Sequence, residues 1–180
     1  MVVTDDVEPF GLEIVWRAMQ AHIQTLQAVL YSEIPLTRYL RLTVDDYNGK
    51  ALRVSAPLAD NVNHFGTAFA GSLSTVATLA GWSMVWFVLK ECELEGNIVI
   101  QESHCHYFLP VTRDFTAYCQ KPEAAQLENF EQTLRQKGKA RLELHVDIPE
   151  QDKVAFAFQG RYVVLPNQKG SQAFNQLEAG

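Results

Sequence analysis

Apolar residues near the start of the chain recur every three or four positions, and those that follow recur every second position. The first spacing places one stripe along a helix, which we predict over residues 12–31. The second predicts two strands within residues 40–56, joined by a turn at Asn48-Gly49. The helical stripe consists of Leu12, Val15, Trp16, Met19, Ile23, Leu26 and Leu30. Because one face of this helix is apolar, we expect it to pack as an extra layer on the fold.

The middle of the chain, residues 65–89, contains no charged residue. We predict a central helix from about Thr67 to Leu89, followed by a charged segment that ends at Gly96. Alternating segments further on predict strands over residues 97–109, 115–120, 140–148 and 153–165. Helical spacing predicts another helix between Pro122 and Gly138.

This order of elements indicates an α+β fold. Strands linked by short turns favour an antiparallel sheet, and a long apolar helix needs a sheet that wraps around it. With 180 residues, 47% of them hydrophobic, the chain is long enough to bury one substantial core. We therefore predict a single domain over residues 1–166 and a weakly ordered tail over residues 167–180.

Charge and cysteine content narrow the functional classes. A net charge of -6 disfavours a nucleic-acid binder, which needs clustered Lys and Arg to meet the phosphate backbone. The three cysteines form no CxxC pair, so we interpret them as reduced thiols of a cytoplasmic protein. The acidic start lacks the basic and apolar regions of a signal peptide, and we expect no export.

The uncharged central segment is long enough to cross a bilayer core of about 30 Å. Hydroxyl side chains interrupt it, however, and no Lys/Arg bias in the flanking loops would orient it. We therefore predict the core helix of a globular domain and no association with a membrane.

A polar run, Asn61–Gly66, immediately precedes the central helix. The first turn of a helix presents backbone N–H groups without partners and a partial positive charge, which stabilise an anion or a carbonyl oxygen that becomes one. A glycine such as Gly71 lets a ligand approach the backbone closely. The simpler alternative is that Asn63 or Thr67 only caps the helix, while His64 lies on a surface loop.

At this entrance the sequence resembles the hotdog fold of acyl-CoA thioesterases. In particular, it resembles the thioesterase domain family found at the C-terminus of YiiD-type acetyltransferases, over about residues 12–165. The matching residues are Asn61, Asn63, His64, Gly66, Thr67, Phe69, Gly71, Ser72, Leu73, Ala80, Gly81 and Trp82, with the run Gly138–Leu144 further on.

The resemblance implies a site at the start of the central helix. In such enzymes an Asn before the helix orients water or the thioester, and backbone amides at the helix start polarise the thioester carbonyl. Carried over to this sequence, the substrate-binding residues are Gly66, Thr67, Phe69, Ala70, Gly71 and Ser72, and the catalytic candidates are Asn63, His64 and Thr78.

Two positions depart from the better-studied branch of the fold. That branch has His-Gly-Gly where this chain has Phe69-Ala70-Gly71, and an acidic residue seven positions later, where this chain has Thr78. A threonine can orient water but is not a strong base near neutral pH. Hydrolysis therefore requires another base, for which the candidates are His64 and a group from a second subunit.

The resemblance also implies an acyl-CoA or acyl-carrier thioester as substrate, no cofactor, and a homodimer or dimer of dimers with sites between subunits. An antiparallel sheet of this size has open edges that must be paired or covered, which favours self-association. Two alternatives remain open. One is a non-catalytic module that binds acyl thioesters, which the missing helix acid favours. The other is a hotdog dehydratase, because the pair His64-Phe65 resembles the start of the site loop in those enzymes.

Two further groups of residues could bind ligands. Alternation places Glu102, His104 and His106 on one face of a strand, a set that could hold a metal ion, although such a face is more often solvated. We therefore assign no metal site. The basic run Arg135–Arg141 could meet the phosphates of coenzyme A or simply be solvated.

Overall fold

The computed structural model describes residues 9–167, with side chains from Arg17 onward. Its elements are α1 (Pro9–Glu33), α2 (Leu36–Tyr39), β1 (Thr43–Tyr47), β2 (Ala51–Ala56), α3 (Ala70–Glu91), β3 (Asn97–Tyr107), β4 (Phe115–Gln120), α4 (Ala124–Lys137), β5 (Ala140–Glu150) and β6 (Lys153–Leu165). The apolar stripe of α1 is therefore described only from Met19 onward. The predicted tail lies outside the described residues, except for Asn167.

The six strands form one antiparallel sheet in the order β1-β2-β4-β5-β6-β3. The central helix α3 packs across the sheet and contacts every strand from β2 to β6. Strand residues alternate between buried and exposed positions, and in β5 the buried set is Ala140, Leu142, Leu144, Val146 and Ile148. The predicted α+β class, with an antiparallel sheet around a long central helix, is confirmed.

The uncharged segment of the sequence forms the buried core helix. Among residues 9–167, α3 is the one helix with the length and mean hydropathy of a membrane span, and 78% of its most apolar window is buried inside the protein. A helix buried on nearly all sides needs apolar residues all round, which explains the absence of charge.

The central helix begins later than predicted. We expected it to start near Thr67, but α3 starts at Ala70 and runs to Glu91. The preceding residues form a tight loop closed by a backbone bridge between Val62 and Ala68. Composition could not show this boundary, because the last residues of the loop are as uncharged as the helix. Smaller differences, of two or three residues, occur at the ends of α1, β3 and β5, and the short α2 was not predicted.

The two edges of the sheet differ in how their backbone groups are paired. At the β1 edge, the side-chain amide of Gln27 on α1 accepts from the Val44 N–H at 2.7 Å and donates to the Leu42 carbonyl at 3.1 Å. Tyr31 donates to the same carbonyl at 3.0 Å. At the opposite edge, β3 pairs only with β6 among the described strands, and none of its residues is buried. The β1 edge is therefore closed by α1, whereas nothing in residues 9–167 pairs with the outer side of β3, which we call the open β3 edge.

Tyr162 of β6 attaches the middle of α3 to the sheet. Its hydroxyl donates to the Thr78 carbonyl at 2.7 Å and accepts a hydrogen bond from the Trp82 backbone. Burial raises the pKa of this phenol, so it stays protonated and acts as a donor. A Cβ atom at Gly81 would lie 2.3 Å from the hydroxyl oxygen, so glycine is required for the ring to approach the helix this closely.

Gly81→Ala should destabilise the fold, although alanine in a helix interior is normally more favourable than glycine. The added methyl group would overlap the Tyr162 hydroxyl, and overpacking of a filled core costs about 1–3 kcal/mol. Ser83→Ala is the matched control on the same helix. The buried Ser83 hydroxyl has no hydrogen-bond partner among the described residues, so its removal should leave the free energy of unfolding unchanged or higher. Urea denaturation measures the free energy of unfolding of both variants. A Gly81→Ala protein as stable as wild type would contradict the prediction.

Candidate active site

Asn61 attaches the loop before α3 to the body of the domain. Its side chain is buried, and Nδ2 donates to the Leu40 carbonyl at 3.0 Å and to the Pro57 carbonyl at 2.8 Å. Its backbone carbonyl accepts from the Phe69 N–H at 2.7 Å. The start of α3 is therefore held in place by the same residue that anchors the loop.

Asn63 shapes the loop from inside. Its Oδ1 accepts from the N–H groups of Phe65 and Thr67 at 2.8 and 3.2 Å. Its Nδ2 donates to Thr67 Oγ1 at 2.9 Å and to the Ala68 carbonyl at 3.3 Å. The chain turns back at Gly66, whose φ of 79° favours glycine. The two donor and two acceptor positions of the Asn63 amide are thus all used within the loop.

The interpretation of this polar run as a helix cap is wrong. The residue that precedes α3 is Phe69, and no side chain in the described part of the chain caps the helix by a hydrogen bond. Asn63 and Thr67 instead bond to each other inside the loop. The polar run therefore holds the shape of the entrance to α3 and leaves the first turn of the helix uncapped.

The first turn of α3 presents unpaired donors. The first hydrogen bond within the helix runs from the Leu73 N–H to the Phe69 carbonyl. In the described part of the chain, no group accepts from the N–H groups of Ala70, Gly71 and Ser72. The Ser72 side chain is buried, so this residue can offer a ligand only its backbone N–H. Three backbone donors at the positive end of the helix dipole have the chemistry to stabilise an oxyanion.

The ring of Phe69 lies over this first turn. A Cβ atom at Gly71 would lie 2.3 Å from the ring, so a larger residue at Gly71 would displace it. The ring itself is 55% exposed. It therefore offers an apolar surface beside the three N–H donors.

One side of α3 beyond the first turn is partly exposed and rich in hydroxyls. Ser74 and Thr75 both donate to the Gly71 carbonyl, at 3.0 and 2.7 Å, and Thr78 donates to the Ser74 carbonyl at 2.8 Å. Because a hydroxyl has one proton, these groups present only acceptor lone pairs outward. The sequence from Ala70 to Leu89 contains no carboxylate and no imidazole, so this open face of α3 lacks a strong base of its own.

His64 and Thr78 are the catalytic candidates outside the first turn. His64 is exposed on the loop, where its ring contacts the ring of Phe65 with centroids 4.2 Å apart. Thr78 lies two turns beyond Gly71, about 10 Å along the helix axis. The structure thus brings the predicted binding residues together at one end of α3, with Thr78 further along the same helix.

Tyr107 is a residue of this region that the sequence analysis did not identify. It ends β3, and its hydroxyl lies 3.4 Å from the Ala70 carbonyl in the first turn of α3. Its ring packs edge-on against Phe156, with centroids 4.9 Å apart. Burial, followed by the neighbouring Cys105 thiol, raises the pKa of Tyr107. Only the pairing of β3 with β6 brings this residue to the helix, so no sequence pattern marked it.

The strand face considered for a metal ion is an ion-paired surface. Glu102 contacts His104 at 3.0 Å and Arg161 at 2.8 Å, and Arg161 also contacts Glu143 at 2.6 Å. The hydrogen bond from His104, followed by the charge of Arg161, lowers the pKa of Glu102. His106 stacks on a neighbouring aromatic ring. Within the described chain, no three potential ligands converge on a metal site.

The basic run Arg135–Arg141 lies at the far end of α3. Arg135 donates to the Cys92 carbonyl, just beyond the C-terminus of the helix, at 2.8 Å. A helix of 22 residues is about 33 Å long, so this run is distant from the first turn of its own subunit.

Comparisons with known proteins agree with this geometry. Residues 23–166 match the family described as "Putative thioesterase (yiiD_Cterm)". The structure of a "putative thioesterase" from Shewanella oneidensis is 31% identical, covers 82% of this chain and 100% of that one, and has a TM-score of 0.73. A protein of unknown function from Chlorobaculum tepidum TLS is 30% identical, with coverages of 83% and 97% and a TM-score of 0.79. A thioesterase from Haemophilus influenzae, 14% identical, shares the fold, with coverages of 83% and 94% and a TM-score of 0.61.

The matched region includes the polar loop, the central helix and all six strands. The first half of α1, up to His22, precedes it. An antiparallel sheet around one long helix is the hotdog fold of these thioesterases, as the sequence resemblance implied. The chain belongs to the family described as "Putative thioesterase (yiiD_Cterm)".

Proposed function

We propose that this protein hydrolyses acyl thioesters of coenzyme A or of an acyl carrier protein at the first turn of α3. One observation carries the proposal: the N–H groups of Ala70, Gly71 and Ser72 have no acceptor in the described chain. Donors placed where charge develops on a carbonyl oxygen provide a large part of catalysis in acyl transfer. Membership of a thioesterase family supports the same reaction.

In the proposed reaction, the thioester carbonyl oxygen accepts hydrogen bonds from the first turn of α3, at Gly71. The oxygen of a water molecule attacks the carbonyl carbon, the C–S bond breaks, and a proton from the water ends on the thiol sulfur. The positive end of the helix dipole stabilises the oxyanion that forms between these steps. The Phe69 ring beside Gly71 provides an apolar wall for the acyl group.

The three catalytic candidates have different roles in this proposal. Asn63 acts by holding the loop that carries Gly66 and Thr67, because its amide is fully engaged there. Thr78 lies about 10 Å along α3 from Gly71, so it would orient the attacking water at the site of a second copy, through the acceptor lone pairs of its hydroxyl, whose proton is used in the helix. His64 accepts the proton that the water loses, since imidazole is a suitable base near neutral pH.

We also propose that two copies pair through the β3 edge. The β1 edge is closed by the Gln27 amide, whereas the β3 edge is open, and an open edge is a template for pairing with a second chain. On β3, Ile100 is an apolar residue with 38% of its surface exposed, which pairing would cover. A second copy at this edge would also bring its side chains to the open face of α3, which lacks a base.

A second function, binding of acyl thioesters without turnover, is favoured by one observation. The open face of α3 carries hydroxyls, whereas a carboxylate or an imidazole would be a better base for hydrolysis. The candidate imidazole, His64, is exposed on the loop and does not lie on this face. In this alternative the three N–H donors hold the thioester carbonyl in the same way.

Wild-type protein should release thiol from acyl-CoA, measured with a thiol-reactive dye on short, medium and long acyl chains. Thr78→Val keeps the shape of the side chain and removes the hydroxyl, so turnover should fall about 10²-fold. Thr25→Val is the matched control, because Thr25 donates to the carbonyl four residues earlier in α1, at 2.8 Å, and should leave turnover unchanged. Saturable binding of acyl-CoA by wild type with no thiol release would instead support the non-catalytic function.

Asn63→Ala should lower turnover about 10²-fold, because the loop beside the oxyanion site loses four hydrogen bonds and no longer holds its position. The melting temperature should also fall, since each lost hydrogen bond contributes about 0.5–1.5 kcal/mol to stability. Hydrogen exchange at the amides of Phe65 and Thr67 should become faster. Asn63→Asp keeps the Oδ1 acceptor, so its turnover should lie between those of wild type and Asn63→Ala. A folded Asn63→Ala protein with fast amide exchange and normal turnover would remove Asn63 from the site.

Wild-type protein should sediment as a dimer at micromolar concentration. Ile100→Asp places a charge beside the open β3 edge and should shift the equilibrium toward monomer. Leu36→Asp is the control, because Leu36 is 51% exposed on α2, beyond the opposite edge of the sheet, and should leave the dimer intact. A wild-type monomer that retains full thioesterase activity would rule out both the dimer and its role in the site.

A further inference from the structure

A cavity of about 280 Å³ lies between α1 and the C-terminal end of α3, at the opposite end of that helix from its first turn. Its apolar walls are Ala18 and Met19 of α1, Tyr47 at the end of β1, and Phe87 of α3. Sites for small molecules are mostly apolar clefts of about 300–1,000 Å³. At this size the cavity accommodates one small ligand with an apolar body.

The floor of the cavity is already formed in the absence of a ligand. The rings of Tyr47 and Phe87 are both buried and stack with their centroids 4.0 Å apart. The Tyr47 hydroxyl donates to Glu91 Oε1 at 2.6 Å. Burial, followed by this hydrogen bond, raises the pKa of Tyr47, so the phenol stays protonated and remains the donor. A ligand can therefore enter without rearranging the core.

The rim of the cavity carries a net positive charge. Glu91 is matched, because its second carboxylate oxygen accepts from the Lys121 ammonium. The exposed Lys90 ammonium lies 5.4 Å from the centroid of the Trp86 ring, and no residue in the described part of the chain forms an ion pair or hydrogen bond with it. The C-terminus of α3 contributes only about half a negative charge. An anion is therefore the ligand charge that complements this rim.

We propose that this cavity binds a carboxylic acid with an alkyl chain of medium length, with the chain against Tyr47 and Phe87 and the carboxylate paired with Lys90. The walls offer apolar surface to the chain, and a single negative charge matches the single unmatched cation at the rim. The α1 residues of the cavity precede residue 23, where the family match begins. A carboxylic acid is also the product class of the proposed hydrolysis, but its binding here does not depend on that reaction.

The charge of the ligand is tested with octanoate and octanol, which share an alkyl chain. In isothermal titration calorimetry, octanoate should bind wild-type protein saturably and more tightly than octanol. Lys90→Gln removes the charge, so the affinity for octanoate should fall about 5–10-fold, while the affinity for octanol should stay unchanged. Lys153→Gln is the matched control, because Lys153 is exposed at the start of β6, outside the cavity, and should leave both affinities unchanged.

A second pair of variants tests the position of the site. Ala18 is exposed on α1 and lines the cavity, so Ala18→Phe should fill it and abolish measurable binding of both compounds. Ala21 is exposed on the same helix but does not line the cavity, so Ala21→Phe should bind both as wild type does. Thermal melting should show that both variants are folded, since neither alanine is buried.

The outcomes separate this inference from the proposed hydrolysis. Wild-type protein that does not bind octanoate saturably, Ala18→Phe protein that binds it normally, or an equal loss of both compounds in Lys90→Gln would overturn the inference. Ala18→Phe should still release thiol from acyl-CoA at the wild-type rate, because the first turn lies at the other end of a helix about 33 Å long. A wild-type protein that binds octanoate but hydrolyses no thioester would overturn only the hydrolase proposal.

Discussion

The burial of an uncharged helix against the antiparallel sheet is the constraint on which the rest of this structure depends. Five of the six strands contact α3, and 78% of its most apolar window is inside the protein. The contact between Tyr162 and Gly81 then fixes how close the helix lies to β6. With the helix held in this way, its first turn emerges beside the polar loop, and no group in residues 9–167 accepts from the three N–H groups there.

The site that results is chemically asymmetric. Its first turn has donors and the positive end of a dipole, while the hydroxyls further along α3 present acceptors only. Such a site is suited to a polarised carbonyl and an oriented water, but its helix contributes no strong base. The base that we propose for proton transfer is His64 on the loop or a group from a second copy. Tyr107, on a strand distant in sequence, contacts the first turn of α3 from the sheet.

The two edges of the sheet differ, and the proposed dimer rests on that difference. Gln27 takes the place of a neighbouring strand at the β1 edge, because one side-chain amide offers the same donor and acceptor as a peptide group. The β3 edge has no such cover among the described residues. It is also the edge that carries Tyr107 and lies next to the open face of α3. A second copy paired there would complete the sheet and enclose the proposed site together.

The sequence by itself determined the six strands and the three long helices, because burial on one side of a helix or strand repeats with a fixed period along the chain; the short α2 has no such period. It also marked the loop and Gly71, where polar and small residues interrupt that pattern. Only the tertiary structure decided that α3 starts at Ala70, that the Asn63 amide forms its hydrogen bonds inside the loop, and that Tyr107 contacts the first turn. These facts depend on hydrogen bonds and strand pairing in three dimensions. Ala70 and Tyr107 are 37 residues apart in the chain, and no periodic pattern relates residues at that distance.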